Sequence, residues 1–285
     1  MKIGLMTGGG DAPGLNGVIE AAARTLLKNG CEVYGIRDGF EGVFHKRVFK
    51  ITHDLVEGLH CQAGTLLGTS NKSQIAGRSE EFQAKFKELQ IDGLIAAGGD
   101  GTFMGLKMLA PSLPIVGIPK TIDNDLQGTE ITFGCDTACT VVAEAVDALR
   151  ATAHAHKRVM IVETMGRSAG WIALGGGLAS YADAILIPER PYDLEKFKIF
   201  LDERHRHQYP GLVLSVSEAA HAQGEEAVSV ENRKGGLHHV RFGGIGDKLS
   251  HWIEKNTNWE GTTLARATLP RNRAGRIPWA NAVGI

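Results

Sequence analysis

Read from its first residue, the chain alternates short apolar runs with longer amphipathic stretches. The runs at Lys2–Met6, Glu32–Ile36, Gly93–Ala97, Ile115–Ile118, Val159–Glu163, Ala184–Ile187 and Leu212–Val216 predict strands. They are continuous and do not alternate with polar residues, as expected where both faces of a parallel sheet are covered. Between them, the spacing predicts helices over Gly17–Leu27, Thr137–Ala153, Leu194–His207 and Ile245–Asn256. This rhythm implies an α/β fold of two doubly wound parallel sheets. A boundary is expected near Asp136, giving domains over 1–136 and 137–285 with the active site in the cleft between them. In such folds polar ligands sit at the carboxyl ends of the strands.

Composition changes the picture at one residue. Glycine fills 37 of 285 positions, about twice its ordinary share, and the excess falls at strand ends. That placement suits backbone that approaches a nucleotide or phosphate closely. The 43% hydrophobic and 22% charged fractions are those of a globular protein with a substantial core. A formal net charge of -1 gives no polyanion-binding surface, so no nucleic-acid partner is expected. The start, MKIGLMTGGG, enters a strand and a glycine loop without a signal pattern, and no stretch is apolar enough for a bilayer. A cytoplasmic enzyme with no membrane partner is the expectation. Cys31, Cys61, Cys135 and Cys139 lack metal-site spacing; Cys135 and Cys139 share a helical face and read as small core residues. Histidines at His154–His156, His205–His207 and His238–His239 read as solvated, and no Ser-His-Asp or Cys-His arrangement stands out.

Four motifs carry chemistry. Gly8-Gly9-Gly10-Asp11-Ala12-Pro13-Gly14-Leu15-Asn16 joins the first strand to a helix and offers backbone N–H groups to a phosphate. It matches neither the dinucleotide nor the Walker pattern. Gly98-Gly99-Asp100-Gly101-Thr102 repeats the arrangement, with Asp100 placed either to hold Mg²⁺ or to cap the helix. Pro119-Lys120-Thr121-Ile122-Asp123-Asn124-Asp125-Leu126 combines a lysine with two carboxylates, suiting a cation beside donor phosphates and a base for a hydroxyl. Arg158 and Met165-Gly166-Arg167 flank one strand and suit bidentate phosphate recognition, while Glu218 can accept from sugar hydroxyls.

In this order, with GTLLGTSNK, TFGCDTA, ETMGRSAGWIA, ILIPERPYDL and GGIGDKL, the motifs resemble the phosphofructokinases from residue 2 to about 256. The resemblance implies two Rossmann-like domains and phosphoryl transfer from ATP, with Mg²⁺, to fructose 6-phosphate in glycolysis. It implies Asp123 as general base, flanked by Thr121, also catalytic, and Asp125, with Ile122 against the substrate and Asp100 as the Mg²⁺ residue. Gly9, Gly10, Gly99, Gly101 and Thr102 would cradle the donor with Lys120; Asn71 stands where many ATP enzymes place an arginine against the donor, with Lys72 as its substitute. Met165, Gly166, Arg167, Glu218 and Arg266 would hold the sugar phosphate, with Arg167 also catalytic. A residue matching Arg158 serves a neighbouring subunit's site, implying a homodimer or homotetramer.

Gly101 is of the ATP type and Lys120 of the pyrophosphate type, a pairing that resembles the mixed-substrate subgroup; ATP is the expected donor and pyrophosphate the alternative. Ile19-Glu20 stands where allosteric bacterial members carry an effector arginine. After Thr268 the family has a run like LGxxQRGGxP followed by helices returning to the first domain, whereas this chain reads Leu269-Pro270-Arg271-Asn272-Arg273-Ala274-Gly275-Arg276-Ile277-Pro278. Arg266 fits and the sugar-phosphate histidine is absent, so an altered or truncated C-terminal end is expected. From another class, an inactive nucleotide-binding member remains an alternative.

Overall fold

In the computed structural model, which describes residues 1–70, 75–230 and 241–267, the chain forms two units. Among the described residues, one comprises Met1–Thr121 and Leu126–Gly134; the other takes Ile122–Asp125 and the chain from Cys135 to Ala267.

The first unit contains β1 (Lys2–Thr7), α1 (Leu15–Lys28), β2 (Glu32–Ile36), α2 (Glu41–Phe44), β3 (Val48–Ile51) and α3 (His53–Val56). A 3₁₀ turn, Leu59–Cys61, leads on to α4 (Ser79–Glu88), β4 (Gly93–Gly98), α5 (Asp100–Leu109), β5 (Ile115–Thr121) and β6 (Phe133–Gly134). The sheet runs β3-β2-β1-β4-β5-β6 and is parallel except for β3, which pairs antiparallel with β2. Neighbouring residues on one strand enter opposite clusters, which explains the unbroken apolar runs. Leu5 and Ile95 pack towards Ile19 and Ala23 of α1, whereas Met6, Leu94 and Ala96 pack towards Phe82, Phe86 and Leu106 of α4 and α5.

Two features of this sheet differ from the sequence expectation. β5 does not end at Ile118 but continues through Pro119-Lys120-Thr121, because β6 pairs with it at Lys120 and Thr121. Burial on both faces also fails there: Val116 is 58% exposed, and Ile131 and Phe133 are exposed as well. Ile115 packs into the core towards α5 while its neighbour Val116, on the other face, is left exposed.

The second unit contains α6 (Cys135–His156), β7 (Arg158–Thr164), α7 (Trp171–Ala179), β8 (Ala184–Leu186), α8 (Leu194–Arg206) and β9 (Leu212–Ser217). A short antiparallel pair, β10 (Ser229–Val230) and β11 (Arg241–Phe242), precedes α9 (Ile245–Asn256) and β12 (Glu260–Ala267). The parallel sheet runs β12-β7-β9-β8. Met160, Val162 and Val213 face α6 and α7; Val159, Ile161, Leu212 and Leu214 face α8 and α9. Asp193 caps α8 by accepting from the N–H groups of Glu195 and Lys196. Among the described residues no helix is long and apolar enough to cross a membrane.

Candidate active site

The carboxyl ends of β1 and β4 are tied together, with Gly8 N donating to the Ala97 carbonyl at 2.9 Å. Between their loops lies Thr102, buried in the first turn of α5. A Cβ on Gly8 would stand 2.7 Å from the Thr102 hydroxyl, and one on Gly98 would collide with it. Thr102 therefore holds the two glycine loops against each other. Thr69 donates to the Gly9 carbonyl, and Gly9 turns in the left-handed region at φ 79°.

Lys120 is 3% exposed, and its ammonium donates to the Gly10 carbonyl beside Gly9. Burying a cation is costly unless anions or oriented dipoles surround it, and the Gly10 carbonyl supplies one such dipole. Asp100 opens α5 and is exposed; the cap position falls to Gly99, so the carboxylate is not the helix's N-cap. At Gly10 and Gly101 no described residue stands within 4 Å of where a Cβ would be. Asn71 and Lys72 lie outside the described residues.

The remaining site residues belong to the second unit, apart from Thr121, whose carbonyl accepts from the Thr132 hydroxyl at 2.7 Å. Ile122 packs against the α6 cluster, Asp123 is 7% exposed, and Asn124 adopts φ 53°. Asp125 is half-buried. At the carboxyl end of β7, Met165 is half-buried, Gly166 has φ 149° and Arg167 φ 54°. A Cβ on Gly166 would collide with the Ala169 carbonyl. Arg167 N donates to Glu218 Oε1 at 3.0 Å, and Glu218 N donates to the Thr164 carbonyl at 2.8 Å. Left-handed non-glycine residues cost on the order of 1–3 kcal/mol and persist where neighbours hold them, as Glu218 holds Arg167. Cys135 is buried at the start of α6; its hydrogen bond with Cys139, together with burial, pushes its thiol up.

Arg158 is not brought to this cluster. It begins β7, six residues before Thr164, roughly 20 Å away at about 3.3 Å per residue. Its Nε donates to Glu260 Oε2 at 2.5 Å. Arg266 lies on β12, in the stretch where pairing with β7 shifts register between Leu264 and Ala267.

Residues 2–275 match the family described as Phosphofructokinase. The chain belongs to the phosphofructokinase family. It is 40% identical to ATP-dependent 6-phosphofructokinase 3 of Streptomyces coelicolor, over 91% of this chain and 77% of that protein. It is also 40% identical to the pyrophosphate–fructose 6-phosphate 1-phosphotransferase of Amycolatopsis methanolica, over 98% of this chain and 82% of that protein. Among solved structures, the phosphofructokinase from Saccharomyces cerevisiae matches with a TM-score of 0.78 at 30% identity, covering 95% of this chain and 38% of that one. The α/β class with parallel sheets expected from the sequence is the one observed.

Two carboxylates that brace this phosphofructokinase were not among the sequence candidates. Glu163, buried in β7, accepts from Gly244 N at 3.0 Å and Gly246 N at 2.9 Å, at the start of α9. Glu189 accepts from Gly170 N at 2.8 Å, at the start of α7 directly after the Met165–Arg167 turn. An acid inside an otherwise apolar strand was the available signal for Glu163. The expectation that no Cys-His arrangement stands out is also corrected: Cys61 Sγ lies 3.2 Å from His60 Nε2. Both residues belong to the 3₁₀ turn Leu59–Cys61.

Proposed function

We propose that this chain transfers the γ-phosphoryl group of ATP to the C1 hydroxyl of fructose 6-phosphate, giving fructose 1,6-bisphosphate. The observation that carries this reading is the space at Gly101 beside Asp100, where no described residue comes within 4 Å of a Cβ. Backbone N–H groups at the starts of α1 and α5 receive donor oxygens, and Lys120 balances their charge. The space at Gly101 leaves room for the α-phosphate of a nucleotide. Gly9, Gly10, Gly99 and Thr102 keep the loops in register for that donor.

Asp123, as general base, takes the proton of the C1 hydroxyl, flanked by Thr121, Ile122 and Asp125. Arg167 stabilises charge on the transferring group and, with Met165, Gly166 and Glu218, orients the sugar phosphate. The exposed Asp100 carboxylate suits Mg²⁺, a hard cation that takes oxygen ligands and keeps waters. When bound, Mg²⁺ neutralises charge on the donor's oxygens. Arg158, remote from its own chain's cluster, is assigned to a neighbouring subunit's site, so a homodimer or homotetramer is expected by light scattering. A cytoplasmic location is part of the same proposal.

Pyrophosphate is the second reading, favoured by Lys120. Relatives named for either donor stand at 40% identity, so overall similarity does not separate them. The test is a coupled assay with Mg²⁺ and fructose 6-phosphate, run with ATP and with pyrophosphate, using Asp123→Ala as the blank. Turnover with ATP supports the proposal, and turnover with pyrophosphate alone replaces it with the second reading. A folded protein that binds nucleotide and turns over neither is an inactive family member.

A further inference from the structure

Away from these residues, the first unit carries a second constellation of reactive side chains. The 3₁₀ turn places Cys61, which is exposed, with Sγ 3.2 Å from His60 Nε2. The other ring nitrogen, Nδ1, lies 2.7 Å from Glu20 Oε2 on α1, and the same oxygen accepts from His60 N at 2.8 Å. The Glu20 side chain is only 7% exposed, against 61% for His60, and it also accepts from Arg24 at 2.9 Å. Nucleophile, base and orienting carboxylate thus stand in line, the arrangement that activates a thiol. Its partners determine the tautomer: Nδ1–H donates to the carboxylate, leaving the Nε2 lone pair for the thiol proton.

The turn is held in place. Asn16 donates to the Gln62 and Ala63 carbonyls at 3.0 and 3.3 Å and accepts from Leu66 N at 2.7 Å. The backbone and side-chain hydrogen bonds from His60 hold Glu20 down at about 2, so the orienting carboxylate stays ionised. None of these side chains belongs to the donor or sugar halves described above.

We propose that Cys61 is an activated nucleophilic thiol and a site of oxidation by peroxides. As the sulfur attacks one peroxide oxygen, its proton passes to His60 Nε2, the O–O bond breaks, and His60 returns the proton to the departing oxygen. With hydrogen peroxide the products are a cysteine sulfenic acid and water; sulfur is oxidised and the peroxide reduced. Glu20 acts through His60, as a positioning residue.

The test uses the full chain with hydrogen peroxide and dimedone, a carbon acid that traps sulfenic acids, with peptide mass spectrometry following each cysteine. Half-buried Cys31 is the internal reference. The expected result is adduct at Cys61 forming at least ~10-fold faster than at Cys31, a margin below the 10²–10⁴-fold of general acid–base catalysis. His60→Gln should remove that advantage, and His60→Asn, whose side-chain amide can still donate to Glu20, makes the same comparison should His60→Gln lower the melting temperature. Equal labelling of Cys61 and Cys31, or a Cys61 rate unchanged by His60→Gln, would overturn the proposal.

Discussion

Gly101 and Gly166 are both glycines in the proposed site, and opposite physical reasons apply to them. Packing of the described residues does not require glycine at 101, because none of them lies within 4 Å of where a Cβ would stand. A side chain there meets only the donor. Gly101→Asp is therefore expected to leave the melting temperature unchanged while raising the KM for ATP at least ~10-fold. Like charges about 4 Å apart at an effective dielectric near 20 repel by about 4 kcal/mol, so tenfold is a modest expectation. Steady-state kinetics beside a thermal melt reads both. At Gly166 the backbone itself requires glycine, with φ at 149° and the Ala169 carbonyl where a Cβ would go. Gly166→Ala should cost about 1–3 kcal/mol and displace Arg167. Its KM for fructose 6-phosphate should rise on the order of tenfold with the KM for ATP held, as initial-rate kinetics in each substrate would show.

At the scale of elements, helix contact in the second unit depends on small residues. α7 lies against α6 at Gly175 and Gly176, where a Cβ on Gly176 would stand 2.5 Å from the Val142 Cβ and 2.9 Å from the Cys139 carbonyl. Neither atom can yield without moving the α6 backbone, so Gly176→Ala is predicted to destabilise by about 1–3 kcal/mol. Chemical denaturation should show this as a lower midpoint at unchanged slope. The sheets follow the same logic. Central strands could be found in the sequence because burial on two faces demands an unbroken apolar run. Among the described residues β3 and β12 are edge strands with one pairing partner each, and Val48–Ile51 and Glu260–Ala267 mix apolar residues with Lys, Thr and Arg. Their identity as strands comes from β2 and β7 beside them.

For the whole molecule, one buried carboxylate makes stability depend on pH. Glu20 is lowered from 4.5 to about 2, chiefly by the His60 backbone hydrogen bond and then by its ring. The folded value lies below the unfolded one, so this contribution is complete above about pH 4.5 and is lost as pH falls through about 2. Glu20→Gln should therefore be less stable than the parent by a constant margin above pH 4.5. That margin should shrink towards zero near pH 2. Urea titrations at a series of pH values would check it, and a margin that persists at pH 2 would show that the loss is one of packing.

The sequence by itself determined where the central strands lie, that their carboxyl ends carry the glycine loops and acidic turn, and which family the chain belongs to. Those features are local: apolar periodicity reports how many faces of an element are covered, and Gly-rich strings report backbone that must turn or approach closely. Tertiary structure decided the rest. It extended β5 through Lys120 by pairing it with β6, buried the Lys120 ammonium beside Gly10, and left Val116 uncovered. It put Arg158 at the far end of β7 from Arg167, gave Glu163 the start of α9 to brace, and joined His60 and Cys61 to Glu20. Each of these depends on a partner contributed by a distant part of the chain or by a tight turn. Side-chain partners are set by where elements meet in space, and residue types along the chain carry only the half of that information that is local.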